Sequence, residues 1–123
     1  SNHAESRLTG LRVLVVEDEV LIAMLLEDAL DEFGCELVGP CQSLSSALAA
    51  AEGEDYDVAL VDFNLQGEQA RPLARRLTEL GRPFAIASGG GAEVAGHGES
   101  AHLRKPFSVE DVESVLRTLA ARD

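Results

Sequence analysis

A chain of 123 residues fits one domain around one core, and no apolar run approaches the roughly 20 residues of a membrane span. Ten Lys and Arg against 22 Asp and Glu leave a net charge of −12, which repels phosphate backbones and argues against nucleic acid or an anionic membrane as partner. No signal-peptide pattern opens the chain. Residues 1–9 read as a disordered tail or expression remnant, 10–123 as the domain, and Cys35 and Cys41, without metal spacing, as small half-buried hydrophobes in a reducing cytoplasm.

Strand and helix patterns alternate, which predicts an α/β parallel sheet covered on both faces. Leu11 to Val16 is an apolar strand interrupted only by Arg12. From Glu19 the period changes: Ile22, Leu25, Leu26, Ala29, Leu30 and Phe33 fall on one helical stripe, which Gly34 ends with a left-handed residue. Cys35 to Gly39 reads as the second strand, punctuated by Pro40. Ser43 caps a second helix whose inner face is Leu44, Ala47, Leu48 and Ala51. Tyr56 to Val61 is the third strand. Ala70, Leu73, Ala74, Leu77 and Leu80 stripe a third helix, stopped by Gly81 and Pro83, and Phe84 to Ala87 is the fourth strand. Between Ser88 and Ser100 lie Gly89, Gly90, Gly91, Gly96 and Gly98. Each costs about 1 kcal/mol against Ala inside a helix, so a fourth helix should be short or irregular, at most a turn over Ala92 to Ala95. Ala101 to Arg104 is a short fifth strand. Ser108 and Asp111 then form a capping-box pattern before a last helix striped by Val112, Val115, Leu116 and Leu119.

Chemistry gathers where these strands end. The first runs into Glu17-Asp18, the third into Asp62, the fourth into Ser88 and the fifth into Lys105-Pro106. In a parallel sheet those ends share one edge, the place where open α/β sheets bind ligands. Like charges about 4 Å apart repel by roughly 4 kcal/mol at an effective dielectric near 20, so three carboxylates together call for a compensating cation. Mg²⁺ accepts oxygen ligands from carboxylates, waters and phosphate, and Lys105 adds a fixed positive charge. Stabilisation of helix N-termini by acidic residues accounts for Glu19 and Glu68; it does not account for Glu17, Asp18, Asp62 and Lys105 together.

In element order and in these motifs, from about Gly10 to Asp123, the chain resembles the receiver domains of two-component response regulators. The resemblance implies a doubly wound (βα)5 flavodoxin-like fold with a five-stranded parallel sheet of order 2-1-3-4-5. It implies that Asp62 accepts a phosphoryl group from a histidine kinase or histidine phosphotransfer protein. Glu17, Asp18, Asp62 and the backbone carbonyl of Asn64 would hold Mg²⁺. Ser88 would bond a phosphoryl oxygen, with the small Gly89 after it, and Lys105 would pair with the acceptor before reaction and with the acyl phosphate after it. Such a module signals by phosphorylation-dependent contact with a downstream protein or serves as a phosphate sink or relay, as a monomer or weak dimer. Pro83 to Gly90 resembles a variant of the "FAT GUY" receiver subgroup, with Ile86, Ser88 and Gly90 replacing its Phe, Thr and Tyr.

Two departures stand out. Receivers usually carry Pro-Gly shortly after the acceptor, whereas Gln66 precedes Gly67 here, so the third helix should begin differently. His102 stands three residues before Lys105, where receivers carry a switch Tyr or Phe. A surface histidine is the plainer reading of it, and a pH-sensitive switch the sharper one. His102 with Ser88, Gly89, Gly90 and Gly91 forms the expected readout region. Three other readings compete: a phosphatase of the haloacid-dehalogenase type, which lacks its Asp-x-Asp after the first strand; a degenerate receiver used as a binding scaffold; and a receiver excised from a hybrid kinase or larger regulator.

Overall fold

Runs of apolar residues too short for helices and buried on both sides become the strands of a central sheet. A computed structural model describes residues 8–89 and 96–121. Five strands, β1 (Arg12–Val16), β2 (Glu36–Cys41), β3 (Val58–Asp62), β6 (Phe84–Ser88) and β7 (Ala101–Arg104), pair in parallel in the order β2-β1-β3-β6-β7. Counting only these strands, that is the 2-1-3-4-5 order. A second, two-stranded sheet, β4 (Asn64–Leu65) with β5 (Glu68–Gln69), is antiparallel.

Alternation along the strands divides the core into two layers. Val13, Val15, Val58, Leu60, Ala85 and Leu103 face α1 (Val20–Glu32) and α4 (Val109–Ala120). Leu14, Val16, Ala59, Val61, Phe84 and Ile86 face α2 (Leu44–Ala51) and α3 (Arg71–Glu79). The buried stripe of α1 is Ala23, Leu26, Ala29 and Leu30. It is turned from the expected one, so Leu25, expected in the stripe, is exposed, as are Val20, Leu21 and Met24. Ser43 caps α2 and Ser108 caps α4, each in a reciprocal capping box, with Ser46 and Asp111 as the partners. Among the described residues no helix is long and apolar enough to cross a membrane.

The structure corrects the sequence reading in two places. Leu8 and Thr9, assigned to the tail, belong to the fold: Leu8 is buried in the α1–α4 layer, and its carbonyl accepts from Leu11 N (3.0 Å) and Cys35 Sγ (3.3 Å). β2 runs through Pro40 to Cys41 rather than stopping at Gly39. It is an edge strand, where a missing N–H need not break a ladder. Where the third helix is expected to begin differently, the chain after Asp62 forms a hairpin before α3. Gln66 (φ 52°) and Gly67 (φ 86°) are its two central residues, the conformation of a type I′ turn. Proline, locked near φ −65°, cannot adopt the conformation that Gln66 takes here, so the turn differs from one built on Pro-Gly. The fourth helix, over Ala92 to Ala95, lies outside the described residues.

Candidate functional site

Register brings the functional residues to one edge. Val16 lies opposite Val61, so Glu17 follows level with Asp62; Asp62 lies opposite Ala87, and Ser88 opposite Arg104, directly before Lys105. Backbone bonds lock the strand ends: Glu17 N–H donates to Cys41 O (2.9 Å), Phe63 N–H to Ala87 O (3.0 Å) and Lys105 N–H to Ser88 O (2.7 Å). Because β2 and β3 leave opposite sides of β1, the crevice falls at the topological switch point. A shallow cleft of about 450 Å³ opens there, lined by Asp18, Glu19, Asp62, Asn64, Gln66, Gly67, Ser88, Gly89 and Lys105.

Glu17 and Asp62 are buried, and with Asp18 each offers an oxygen within 4.8 Å of the others. Lys105 Nζ lies 3.2 Å from Asp62 Oδ1, 3.5 Å from Glu17 Oε1 and 3.4 Å from Glu19 Oε2. Backbone amides position the acids: Glu19 N–H donates to Glu17 Oε2 (3.1 Å), Asn64 N–H to Asp62 Oδ1 (3.3 Å) and Gln66 N–H to Asp18 Oδ2 (3.0 Å). The hairpin turn thus aims Asp18.

Burial pushes Glu17 up to about 7, opposed by the Glu19 amide and assisted by the nearby Asp62 charge. Burial also raises Asp62, while its hydrogen bond with Glu17 and the Lys105 charge pull it back. Burial lowers the Lys105 ammonium, but Asp62, Glu17 and Glu19 outweigh that and leave it raised. An all-oxygen donor set of clustered carboxylates, two of them buried, fits a hard divalent cation such as Mg²⁺ and does not suit a softer one.

Most of the anticipated residues meet in this cleft. Ser88 ends β6 half-buried and lines it, as do Gly89 and Asn64; Gly90 and Gly91 lie outside the described residues. His102 stands apart. Its Nε2 pairs with Glu99 Oε2 at 2.6 Å, and the same carboxylate accepts from Gly96 N (3.2 Å) and His97 N (2.8 Å). His97 in turn stacks on Phe63, the residue after Asp62, at a centroid distance of 5.4 Å. Sequence reasoning missed Glu19, which it assigned to the helix terminus, and Gln66, whose role rests on its backbone. Only the adjacency of Glu19 to the acidic pair could have flagged it.

A doubly wound sheet with a carboxylate-and-lysine cleft at its switch point belongs to the class of α/β proteins that handle anionic ligands at strand ends. The response regulator receiver domain family matches residues 13–117, and the chain belongs to that family. The transcriptional regulatory protein TcrA of Mycobacterium tuberculosis is 34% identical over 123 residues, covering 94% of this chain and 48% of TcrA. The chain spans about half the length of the curated relatives it matches in this way. The solution structure of SdrG from Sphingomonas melonis Fr1 is similar at 36% identity and a TM-score of 0.75, over 89% of this chain and 96% of SdrG. The receiver domain of the sensor histidine kinase PA1611 from Pseudomonas aeruginosa PAO1, solved with a magnesium ion coordinated in its active-site cleft, shares the fold at 20% identity and a TM-score of 0.78, over 92% of this chain and 99% of that one. Receiver domains are phosphoacceptors that bind Mg²⁺ at their acidic site and receive phosphate from histidine kinases.

Proposed function

We propose that Asp62 is the phosphoacceptor of a signalling receiver, taking its phosphoryl group from a histidine kinase or a histidine phosphotransfer protein. An Asp62 carboxylate oxygen forms the new bond to phosphorus while the phosphorus–nitrogen bond of the donor phosphohistidine breaks. The electron pair of that bond leaves with the imidazole, which takes up a proton. A carboxylate is a weak nucleophile, so the residues around it must position and aim it. The Asn64 amide and the Lys105 ammonium do so, both at Oδ1.

Glu17, Asp18, Asp62 and the carbonyl of Asn64 would hold Mg²⁺, which when bound neutralises charge on the transferring group. Lys105 turns from carboxylate to phosphoryl oxygens as the product forms, and Ser88, at the end of β6, supplies a hydroxyl to one of them. The exchange of partners at Ser88 and Lys105 turns a local charge event into a movement of the β6 and β7 ends. Downstream, the domain acts by phosphorylation-dependent protein contact or as a phosphate sink or relay, from the cytoplasm.

The observation that carries this reading is the buried Asp62 at the switch-point end of β3, with a lysine 3.2 Å away and two further carboxylates within metal-sharing distance. The test is incorporation of acid-stable, hydroxylamine-labile phosphate from acetyl phosphate and Mg²⁺, followed by transfer from phosphorylated histidine kinases. Incorporation should occur in the unsubstituted chain and vanish in Asp62→Asn. Equal labelling of both proteins would remove Asp62 from the role.

A further inference from the structure

Lys105 is shared among three carboxylates, and they are not equivalent. Its Nζ lies 3.2 Å from Asp62, 3.5 Å from Glu17 and 3.4 Å from Glu19. Glu17 and Asp62 form the metal-capable group with Asp18; Glu19 does not belong to it. The side chains of Glu17 and Asp62 are 1% and 6% exposed, against 59% for Glu19. Glu19 is therefore the partner at the rim of the cleft.

Its backbone is nevertheless fixed. Glu19 N–H donates to Glu17 Oε2, and its carbonyl accepts from Ala23 N at 2.9 Å to open α1. Although it stands at the N-cap, its side chain makes no capping hydrogen bond. The carboxylate thus stands on a rigid base, is not used by the helix, and reaches a lysine 86 residues away in the chain.

We infer that Glu19 is a positioning residue that holds the Lys105 ammonium at the cleft mouth until a phosphoryl group draws it away; this rests on the reading of Asp62 as acceptor. Of the three partners of Lys105, Glu19 is the one outside the metal-capable group, so its hold on the ammonium does not compete with a metal. Phosphoryl transfer then requires Lys105 to exchange that partner for a phosphoryl oxygen. With acetyl phosphate as donor, an Asp62 oxygen bonds to phosphorus, the phosphorus–oxygen bond to the acetyl group breaks, and acetate departs with the electron pair. Glu19 restrains this step by holding the lysine that must follow the phosphoryl group.

Initial rates of phosphoprotein formation from acetyl phosphate and Mg²⁺ test the inference in a set of variants. Glu19→Gln should accelerate the reaction about two- to fivefold, the scale of one exposed charge contact. Glu19→Asp keeps the charge but shortens the side chain by one methylene, so it should accelerate comparably. In a Lys105→Met background the residual rate should change less than about 1.5-fold on either substitution, because the contact is already gone. The inference fails if Glu19→Asp matches the unsubstituted chain while Glu19→Gln is faster, or if Glu19→Gln accelerates the Lys105→Met protein equally. Either outcome assigns the effect to general repulsion of the anionic donor. A second readout needs neither metal nor turnover: the ¹⁵Nζ resonance of Lys105 should move in both Glu19 variants, and an unmoved signal overturns the contact. A chain that takes up no phosphate refutes Asp62 as acceptor, while the resonance still decides whether Glu19 holds Lys105.

Discussion

Replacing Glu17 by Gln should stabilise the metal-free protein, with a pH signature that identifies the cause. Glu17 is fully buried, and burial lifts it from an ordinary 4.5 to about 7. The unfolded chain therefore releases this proton first as pH rises. The folded state binds more protons between those values, so stability falls across the window and the whole loss is present above about pH 7. At about 1.4 kcal/mol for each pH unit, the ionised Glu17 withholds about 3 kcal/mol at pH 8. Glutamine keeps an oxygen for the Glu19 amide and carries no charge, so Glu17→Gln should recover most of that amount at pH 8 and nearly none at pH 4.5. The chain has no tryptophan, so urea unfolding is followed by far-ultraviolet circular dichroism, in EDTA, from pH 4.5 to 8.5. Curves of stability against pH that run parallel for the two proteins would refute the reasoning. Burial at the cleft would then carry no charge penalty, and the electrostatic argument for a cation would lose its basis.

Mg²⁺ at a hundredfold excess over its dissociation constant should stabilise the unsubstituted chain by about 2.7 kcal/mol, seen as a rise in Tm, and Asp18→Asn should shrink that rise; an equal response would place the metal elsewhere. Gln66→Pro should destabilise by about 1–3 kcal/mol, because it forbids the observed φ of 52° and removes the N–H that holds Asp18. Gln66→Asn, better suited to that conformation, should match or exceed the unsubstituted chain in urea midpoint, and a midpoint below it would contradict the turn assignment. Leu116→Ala, at a fully buried position of α4 against the sheet, should cost about 2–5 kcal/mol by the same measurement; a cost below 1 kcal/mol, which is about that of a single buried methylene, would show that this layer repacks freely.

The parts of the fold that could be read in the sequence are those written in local period. β1, β3 and β6 are buried on both faces, so they appear as unbroken apolar runs, and helix stripes such as Leu73, Ala74 and Leu77 follow the turn of the helix. The acids and Lys105 were legible for a related reason: in a parallel sheet, the end of each apolar run marks the same edge. What escaped lacks such a period. The hairpin from Asn64 to Gln69 is too short and polar to show one, and its turn depends on a left-handed glutamine that composition does not announce. Leu8 sits among polar residues, yet packs into a core assembled from distant segments. Glu19 reads as a helix-terminal charge until the fold sets Lys105 beside it.

The same register separates what must stay still from what must move. Asp62 is the last paired residue of β3, opposite Ala87 of β6, and the Phe63 amide continues the bonding to Ala87, while on the other side the β1 ladder closes one residue earlier, at Val61. Glu17, one position beyond β1, is held by its amide to Cys41 and by its carboxylate to Glu19 N–H. Lys105 lies one residue past β7, its N–H donating to Ser88 O, with its ammonium at the far end of a flexible stem. Ser88 is the final residue of β6, at the mouth of the cleft. The rigid ladder therefore fixes the group whose position decides whether an oxygen can reach phosphorus. In the proposed mechanism, strand ends supply the two groups, Ser88 and Lys105, that would exchange partners once it has. Stiffening either end, for instance by extending the β6–β7 pairing beyond Ser88 and Arg104, should slow the response of this domain without moving its acceptor.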